Sequence, residues 1–454
     1  MPIDIVSTAV FDGPQAIPGW NYLTTYGPAV AVAAATKYYF SGTSNTFKRE
    51  LHGNVYIITG GTSGLGAELA YELANKGAQL ILLSRSTDDA WTVEFIEDLR
   101  DKTNNFMIYA EHCDLNSLHL VRLFATKWLD NQPPRRLDGV ICCAADCVPR
   151  GRDRQVSVDG VETQLAVNYL AHYHLLTLLK PSLHVQPPDR DVRVVLTTCT
   201  SQAAGLVDKD DLLWDFRQYP VNSPWKVFGT SKLLLGMFGR SFQRELNSYD
   251  RKDKAPCNVK VSIVNPGIMR SPSTRRFISM GTIWGLFLYV LLFPIWYIFF
   301  KDTVQGVQSL LFAIYAPMLG AQDGGNIIQE CKILTKTRPE LTDEVLQDEV
   351  FAKTAEHIQQ LEKLSAIERK KQEKKLGIDK KKAEAEQKKK EDVHEKPQTE
   401  EELQYKLDAI RKSMGILSQL GEMPLFPEEG VDAAKKKHTP KSTGSKPKGK
   451  ARKR

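Results

Sequence analysis

The sequence predicts an α/β fold, a doubly wound parallel sheet in a single domain, followed by a helical and disordered C-terminal extension. Three observations carry this expectation. Apolar runs without period-two alternation recur at NVYIIT (54–59), QLILLS (79–84), LDGVICCA (137–144), RVVLTT (193–198) and VKVSIVN (259–265), the pattern of strands buried on both faces. Helical stretches such as AELAYELANKG (67–77) and VETQLAVNYLAHYHLLTLLK (161–180) separate them. After about residue 335 the apolar runs stop and charged residues take over.

Length and charge set the bounds. A chain of 454 residues with 42% hydrophobic content can bury a full α/β core and carry appendages besides. The net charge of +7 belongs to the tail: Lys435 to Arg454 holds ten Lys/Arg and no acid, leaving 51 basic against 54 acidic residues elsewhere. That excludes a nucleic-acid-binding face on the folded part and leaves nucleic acid only as a rival partner of the tail. The seven cysteines include no CxxC pair, which predicts reduced thiols without disulfide or metal roles. The start, with Asp4 and no basic stretch before an apolar run, predicts no cleaved signal peptide.

The chain divides as follows. Residues 1–50 form an N-terminal segment in which Pro28 to Phe40, mildly apolar, suits a docking helix or a membrane-surface contact. Residues 51–335 form the α/β domain, 336–396 a charged helical spacer, 397–421 an amphipathic helix and 422–454 a disordered basic tail. The amphipathic helix opens with a capping-box pattern at Thr399 and Glu402, and Leu403, Leu407, Ile410, Met414 and Leu417 repeat at 4, 3, 4, 3 spacing. That stripe requires a partner surface, in this protein or in another.

Between the first strand and the first helix lies TGGTSGLG, Thr59 to Gly66. Glycines there let the backbone turn sharply and approach a pyrophosphate, while the helix N-terminus offers free N–H groups to the anion. The spacing T-G-x-x-x-G-x-G resembles the short-chain dehydrogenase/reductase family, in its retinol-dehydrogenase-like branch, and implies a Rossmann-type fold. Asp114 in HCDL resembles the family's adenine-contacting aspartate, AVNYLAHYHLLTLLKPSL the helix bearing its catalytic asparagine (Asn168), and GTSKLLLGMFGRSFQREL its lysine helix (Lys232). Asn-Pro-Gly at 265–267 resembles the turn that closes over the nicotinamide. The resemblance spans about residues 51–330. It implies cofactor contacts from Thr59, Gly60, Thr62, Ser63, Gly64, Leu65, Gly66, Asp114, Lys232, Pro266 and Gly267. Cofactor choice turns on the end of the second strand, where Ser84 and Arg85 replace the acid of NAD-preferring members. Arginine suits a 2′-phosphate, so NADP(H) is expected.

The catalytic pattern breaks at one position. The family's proton-transfer tyrosine stands four residues before the lysine, and here that residue is Phe228, which has no titratable group. The family's serine aligns with Ser201 by TSQAA, or with Cys199 by counting from Arg193, with Thr200 between them. CCAA at 142–145 stands where the family has NNAG. Tyr219, Tyr173, His172 and His174 are candidate substitutes for the missing hydroxyl.

Thr282 to Phe300 (TIWGLFLYVLLFPIWYIFF) is nineteen residues without a charge. It is long enough to cross a bilayer, yet it lies inside the domain, so membrane contact is expected either as a span or as a re-entrant bend at Pro294. The resemblance implies a lipid-like alcohol or carbonyl substrate. The final KARKR resembles a dibasic retrieval signal, which points to the cytosolic face of the endoplasmic reticulum membrane. Two readings stand at this point: a membrane-associated NADP(H)-dependent oxidoreductase with Asn168, Ser201, Phe228 and Lys232 at its catalytic end, or a catalytically silent, partner-binding module that keeps the cofactor pocket.

Overall fold

A computed structural model describes residues 10–11, 13–17, 19–251 and 253–394. Strands β1 (Val55–Thr59), β2 (Gln79–Ser84), β3 (Ile108–His112), β4 (Gly139–Cys142), β5 (Val192–Thr197), β6 (Val259–Asn265), β7 (Asn326–Gln329) and β8 (Lys332–Ile333) form one sheet. Their order is β3-β2-β1-β4-β5-β6-β7-β8, parallel up to β7, with the two-residue β8 returning antiparallel. Every residue of β1, β4 and β5 is buried, as continuous apolar runs require when both sheet faces are covered.

Two cores result, one on each face. Helices α1 (Trp20–Ser41), α2 (Gly64–Asn75), α3 (Ala90–Thr103), α4 (Leu118–Leu129), α5 (Ala171–His184), α6 (Trp225–Asn247), α7 (Pro272–Ile278), α8 (Ile283–Leu291), α9 (Phe293–Phe299), α10 (Thr303–Tyr315) and α11 (Glu344–His394) are the main helical elements. Tyr56, Ile58, Leu69, Leu73, Leu80 and Ile314 build the core beneath α2 and α10, whereas Ile57, Val121, Leu175, Leu234 and Phe238 build the one beneath α4, α5 and α6. The strand order reverses between β1 and β4, and it is there, beyond the carboxyl ends of the strands, that an open α/β sheet holds ligands.

Two segments differ in detail from the sequence reading. The spacer begins as part of the domain: Val350 and Ile358 of α11 are buried, Tyr169 Oη lies 2.7 Å from Thr354 Oγ1, and Tyr173 Oη donates to the Phe351 carbonyl at 3.0 Å. Apolar residues at Leu346, Val350, Ile358 and Leu361 give that stretch a docking face which the surrounding charges mask in composition. The described residues to Gln372 belong to one compact unit. The five residues Leu403, Leu407, Ile410, Met414 and Leu417, and the basic tail, lie outside the described residues.

The uncharged segment divides into α8 and α9 with the break at Leu292, two residues ahead of Pro294. Proline lacks an N–H and crowds the preceding turn, so it ends α8 and sits in the first turn of α9, where it is tolerated. Among the described residues no helix is long and apolar enough to cross a membrane. Instead α8 and α9 lie on the surface with Ile283, Trp284, Phe287 and Leu291 exposed, and the 22-residue α1, which buries none of its residues, packs against α9 through Phe40 and Phe299 (ring centroids 5.2 Å apart).

Candidate active site

The glycine turn is fixed by close backbone packing. A Cβ on Gly66 would sit 2.2 Å from the Gly60 carbonyl oxygen, and Gly60 itself, at φ +66°, would place one 2.7 Å from Cα of Ala144. Only glycine fits either place. Ser63 is extended and no side chain caps the first turn of α2, so the helix opens with its N–H groups free for an anion. Thr62 accepts a 3.4 Å bond from Trp91 Nε1, and Leu65 packs into the core beneath α10. Gly64 faces Ser271 and Pro272, which follow the Asn-Pro-Gly turn; Gly267, at φ +86°, donates its N–H to Asn265 Oδ1 at 3.0 Å. Pro266 is buried between them. The 265–272 segment therefore borders the glycine turn.

At the ends of β2 and β3, Arg85 is exposed and makes no hydrogen bond or ion pair with any described residue, while Asp114 Oδ1 accepts from the Asn116 N–H at 3.0 Å. A free guanidinium beside the β1–β2 edge is a suitable group for a nucleotide phosphate.

The catalytic end gathers at the close of β5. Lys232 is 2% exposed, and among the described residues its Nζ has one partner, the Thr197 carbonyl at 2.9 Å. Burial lowers its pKa, opposed by the thiols of Cys199, Cys143, Cys142 and Cys147 nearby. Burial pushes the Cys143 thiol up to about 11 and that of Cys147 up to about 12. The Phe228 ring lies 5.9 Å from the ammonium, where the resemblance would place a phenol. Ser201 stands in a short helical turn (Thr200–Ala204) with its Oγ 2.6 Å from Cys199 Sγ. The Ser201 carbonyl lies only 2.3 Å from the place of a Cβ on Gly229, so the backbone next to Phe228 presses directly on Ser201.

Asn168 lies in a π-helical turn (Ala166–Leu170) and is fully buried. Its side chain accepts from the Asp146 N–H at 2.7 Å and donates to the Asp146 carbonyl and to Ser231 Oγ, both at 3.0 Å, which fixes the loop after β4 against α6. His172 Nδ1 lies 3.1 Å from the Asn168 carbonyl and Nε2 lies 3.0 Å from Thr59 Oγ1, which accepts from the Ala144 N–H. Burial lowers the His172 pKa to about 4, so the ring is a neutral strut between β1 and the asparagine turn. Tyr173 and His174 point to α11. Tyr219 Oη donates to Glu162 at 3.3 Å and accepts from Gln164 Nε2 at 3.1 Å, a network that holds the 146–149 loop.

Comparison with known proteins places this arrangement. Residues 54–189 match the KR domain model. An uncharacterized oxidoreductase of Schizosaccharomyces pombe is 41% identical over 364 residues, covering 80% of this chain and 97% of that protein. An uncharacterized oxidoreductase of Saccharomyces cerevisiae is 43% identical over 391 residues, covering 81% and 95%. The chain belongs to the short-chain dehydrogenase/reductase family. Human retinol dehydrogenase 13 is a further relative, 27% identical over 339 residues that cover 73% of this chain and 93% of that protein.

As a short-chain dehydrogenase/reductase the chain is an oxidoreductase built around a nicotinamide cofactor, and its pocket suits one: a backbone cradle that any Cβ would fill and a buried ammonium with N–H groups left to give. Sequence reasoning named Cys199 as a stand-in for the serine but missed Cys142, Cys143 and Cys147 beside Lys232. Their signal was present as the CCAADC run in place of NNAG. The Thr197 carbonyl had no signal at all, because a backbone acceptor leaves no trace in side-chain identity.

Proposed function

We propose that the protein is an NADP(H)-dependent oxidoreductase that sits on the cytosolic face of the endoplasmic reticulum membrane and acts on a hydrophobic, lipid-like alcohol or carbonyl. One observation carries the reading: Arg85 stands free at the end of β2, where NAD-preferring members place an acid, in the same molecule whose Gly60–Gly66 turn forms an anion cradle. When bound, the cofactor supplies or removes a hydride. The chain's own residues do the rest: the glycine turn and the N-terminus of α2 bind the pyrophosphate, Arg85 the 2′-phosphate, and Lys232 the ribose hydroxyls.

The lipid-like substrate and the membrane rest on the exposed surface of α1, α8 and α9, which has aromatic and aliphatic side chains facing out, with Lys37, Arg270, Arg275 and Arg276 close by. Trp and Tyr with flanking cations suit the boundary between headgroups and acyl chains. The retinol named in one relative agrees with a substrate delivered from lipid.

The test uses the full chain purified in detergent: titration with NADPH and NADH, turnover with a panel of long-chain aldehydes, ketones and sterols, and flotation with liposomes. Selective NADPH affinity with turnover of an apolar carbonyl is the expected outcome; no affinity for either nucleotide removes the reading. Phe228 favours a second reading, a silent family member that holds cofactor and binds a partner through the 397–421 stripe. NADPH binding without turnover of any substrate would select it.

A further inference from the structure

The family's tyrosine is replaced by Phe228, yet Lys232 remains, buried, with one carbonyl partner among the described residues for its three N–H groups. A buried ammonium is costly unless something answers it. What lies about it is sulfur. Cys143 Sγ is 3.4 Å from Thr197 Oγ1, on the residue whose carbonyl binds Lys232, and Cys199 follows two positions later at the mouth of the site. Cys199 Sγ lies 2.6 Å from Ser201 Oγ, and the Ser201 carbonyl is packed against Gly229, the residue after Phe228.

We propose that the Cys199 thiol, held against Ser201 two residues beyond the carbonyl that binds Lys232, replaces the missing tyrosine as the proton-transfer group. This rests on the nicotinamide-dependent reading above. In carbonyl reduction the S–H bond of Cys199 breaks and its proton forms the new O–H bond on the substrate oxygen, while the carbonyl carbon takes the hydride, with its two electrons, that the reduced cofactor supplies. The thiolate so formed stands beside Lys232 and regains a proton from water. In alcohol oxidation the thiolate accepts the hydroxyl proton as the hydride passes from the carbinol carbon to the oxidised cofactor. The charge that Cys199 would carry after the step is opposite to that of Lys232, as the phenolate's is in the family.

The experiment has two arms on the full chain in detergent. In the first, without cofactor, alkylation of Cys199 by iodoacetamide is followed by mass spectrometry at neutral pH. Cys199 is expected to react faster than the other six cysteines, and Lys232→Met to slow it about tenfold or more. In the second, NADPH titration and hexadecanal turnover are measured for Cys199→Ala. The expected result is unchanged NADPH affinity with turnover down about 10²-fold. An alkylation rate indifferent to Lys232→Met, or a Cys199→Ala protein as active as the parent, overturns the proposal. Should Lys232→Met not fold, the Cys199→Ala comparison decides alone. Loss of the nucleotide-binding reading shows separately, as a parent protein that fails to bind NADPH whatever its thiol reactivity.

Discussion

Lys232 Nζ donates to the Thr197 carbonyl at 2.9 Å, which ties the middle of the lysine helix to the last residue of β5. A charge at this depth stabilises the protein little, because desolvation offsets what the single bond returns. Its retention points to a bound partner. Lys232→Met should therefore leave the melting temperature unchanged or raised while weakening NADPH by about tenfold or more, the effect of removing a charged hydrogen bond worth about 1.5–3 kcal/mol. Differential scanning fluorimetry with and without NADPH separates the two effects; a large fall in stability of the free protein would mean that the lysine is structural.

Arg85 makes no bond to any described residue, so its removal costs the fold nothing that the structure shows. Its proposed partner is the 2′-phosphate, present in NADPH and absent from NADH. Arg85→Ala should weaken NADPH by about 10- to 100-fold and leave NADH affinity where it was. Equal losses for both nucleotides in a fluorescence titration would show that Arg85 does not read the phosphate.

Phe228→Tyr restores the family hydroxyl beside an ammonium 5.9 Å from the present ring. If Cys199 serves the proton, the new phenol competes for the same space and the same lysine, and kcat for an aldehyde substrate should stay level or fall. A rise of about 10² or more in kcat, the usual worth of a general acid, would mean that the parent site has no acid of its own.

The fold was legible where burial dictated residue type. β1, β2, β4, β5 and β6 are apolar without alternation because helices cover both faces of the sheet, and the glycines of the first turn announced themselves because Gly60 and Gly66 admit no side chain. Less visible were β3, whose residues at the sheet edge are only partly covered, and β7 and β8, which are too short to show a pattern. The docking face of α11 escaped notice because four apolar positions are scattered among charges that point to solvent. At the site, the lysine and asparagine helices could be read from their neighbours. Which groups the asparagine holds could not, since Asn168 spends its side chain on the backbone of Asp146 and on Ser231 Oγ, residues distant in sequence and without a motif that points to it.

Glu362 links α11 to the domain, with Arg122 bidentate on its carboxylate and His174 Nε2 3.2 Å from Oε1. Burial raises its pKa, but the contacts of His174 and Arg122 outweigh burial and bring it from 4.5 down to about 2. A carboxyl depressed in the folded state adds stability that is fully present above its unfolded value and is lost as the pH falls towards the folded one. Docking of α11 should therefore weaken between about pH 4.5 and pH 2, and Glu362→Gln should flatten that dependence while lowering stability at neutral pH. Urea titrations across the range, read by hydrogen exchange at Val350 and Phe351, test both; an unchanged acid slope in Glu362→Gln would assign the loss to other carboxylates.

Trp284 is 83% exposed near the start of α8 and contributes nothing visible to either core, while Phe287, Leu288 and Leu291 continue the same apolar surface. Replacing it with Asp removes one large apolar group and sets a charge on a surface that the proposed membrane contact must desolvate. Burying a large side chain is worth about 1.5–3 kcal/mol, and a charge at the acyl boundary adds to the penalty, so Trp284→Asp should lower vesicle affinity by about tenfold or more. Melting temperature and NADPH affinity should not move, because the residue is exposed and lies outside both cores. Flotation with vesicles containing anionic phospholipid reads the first effect and fluorimetry the second. Undiminished flotation of a Trp284→Asp, Phe287→Asp double variant would mean that α8 does not face lipid, and that its exposed rings cover some other surface.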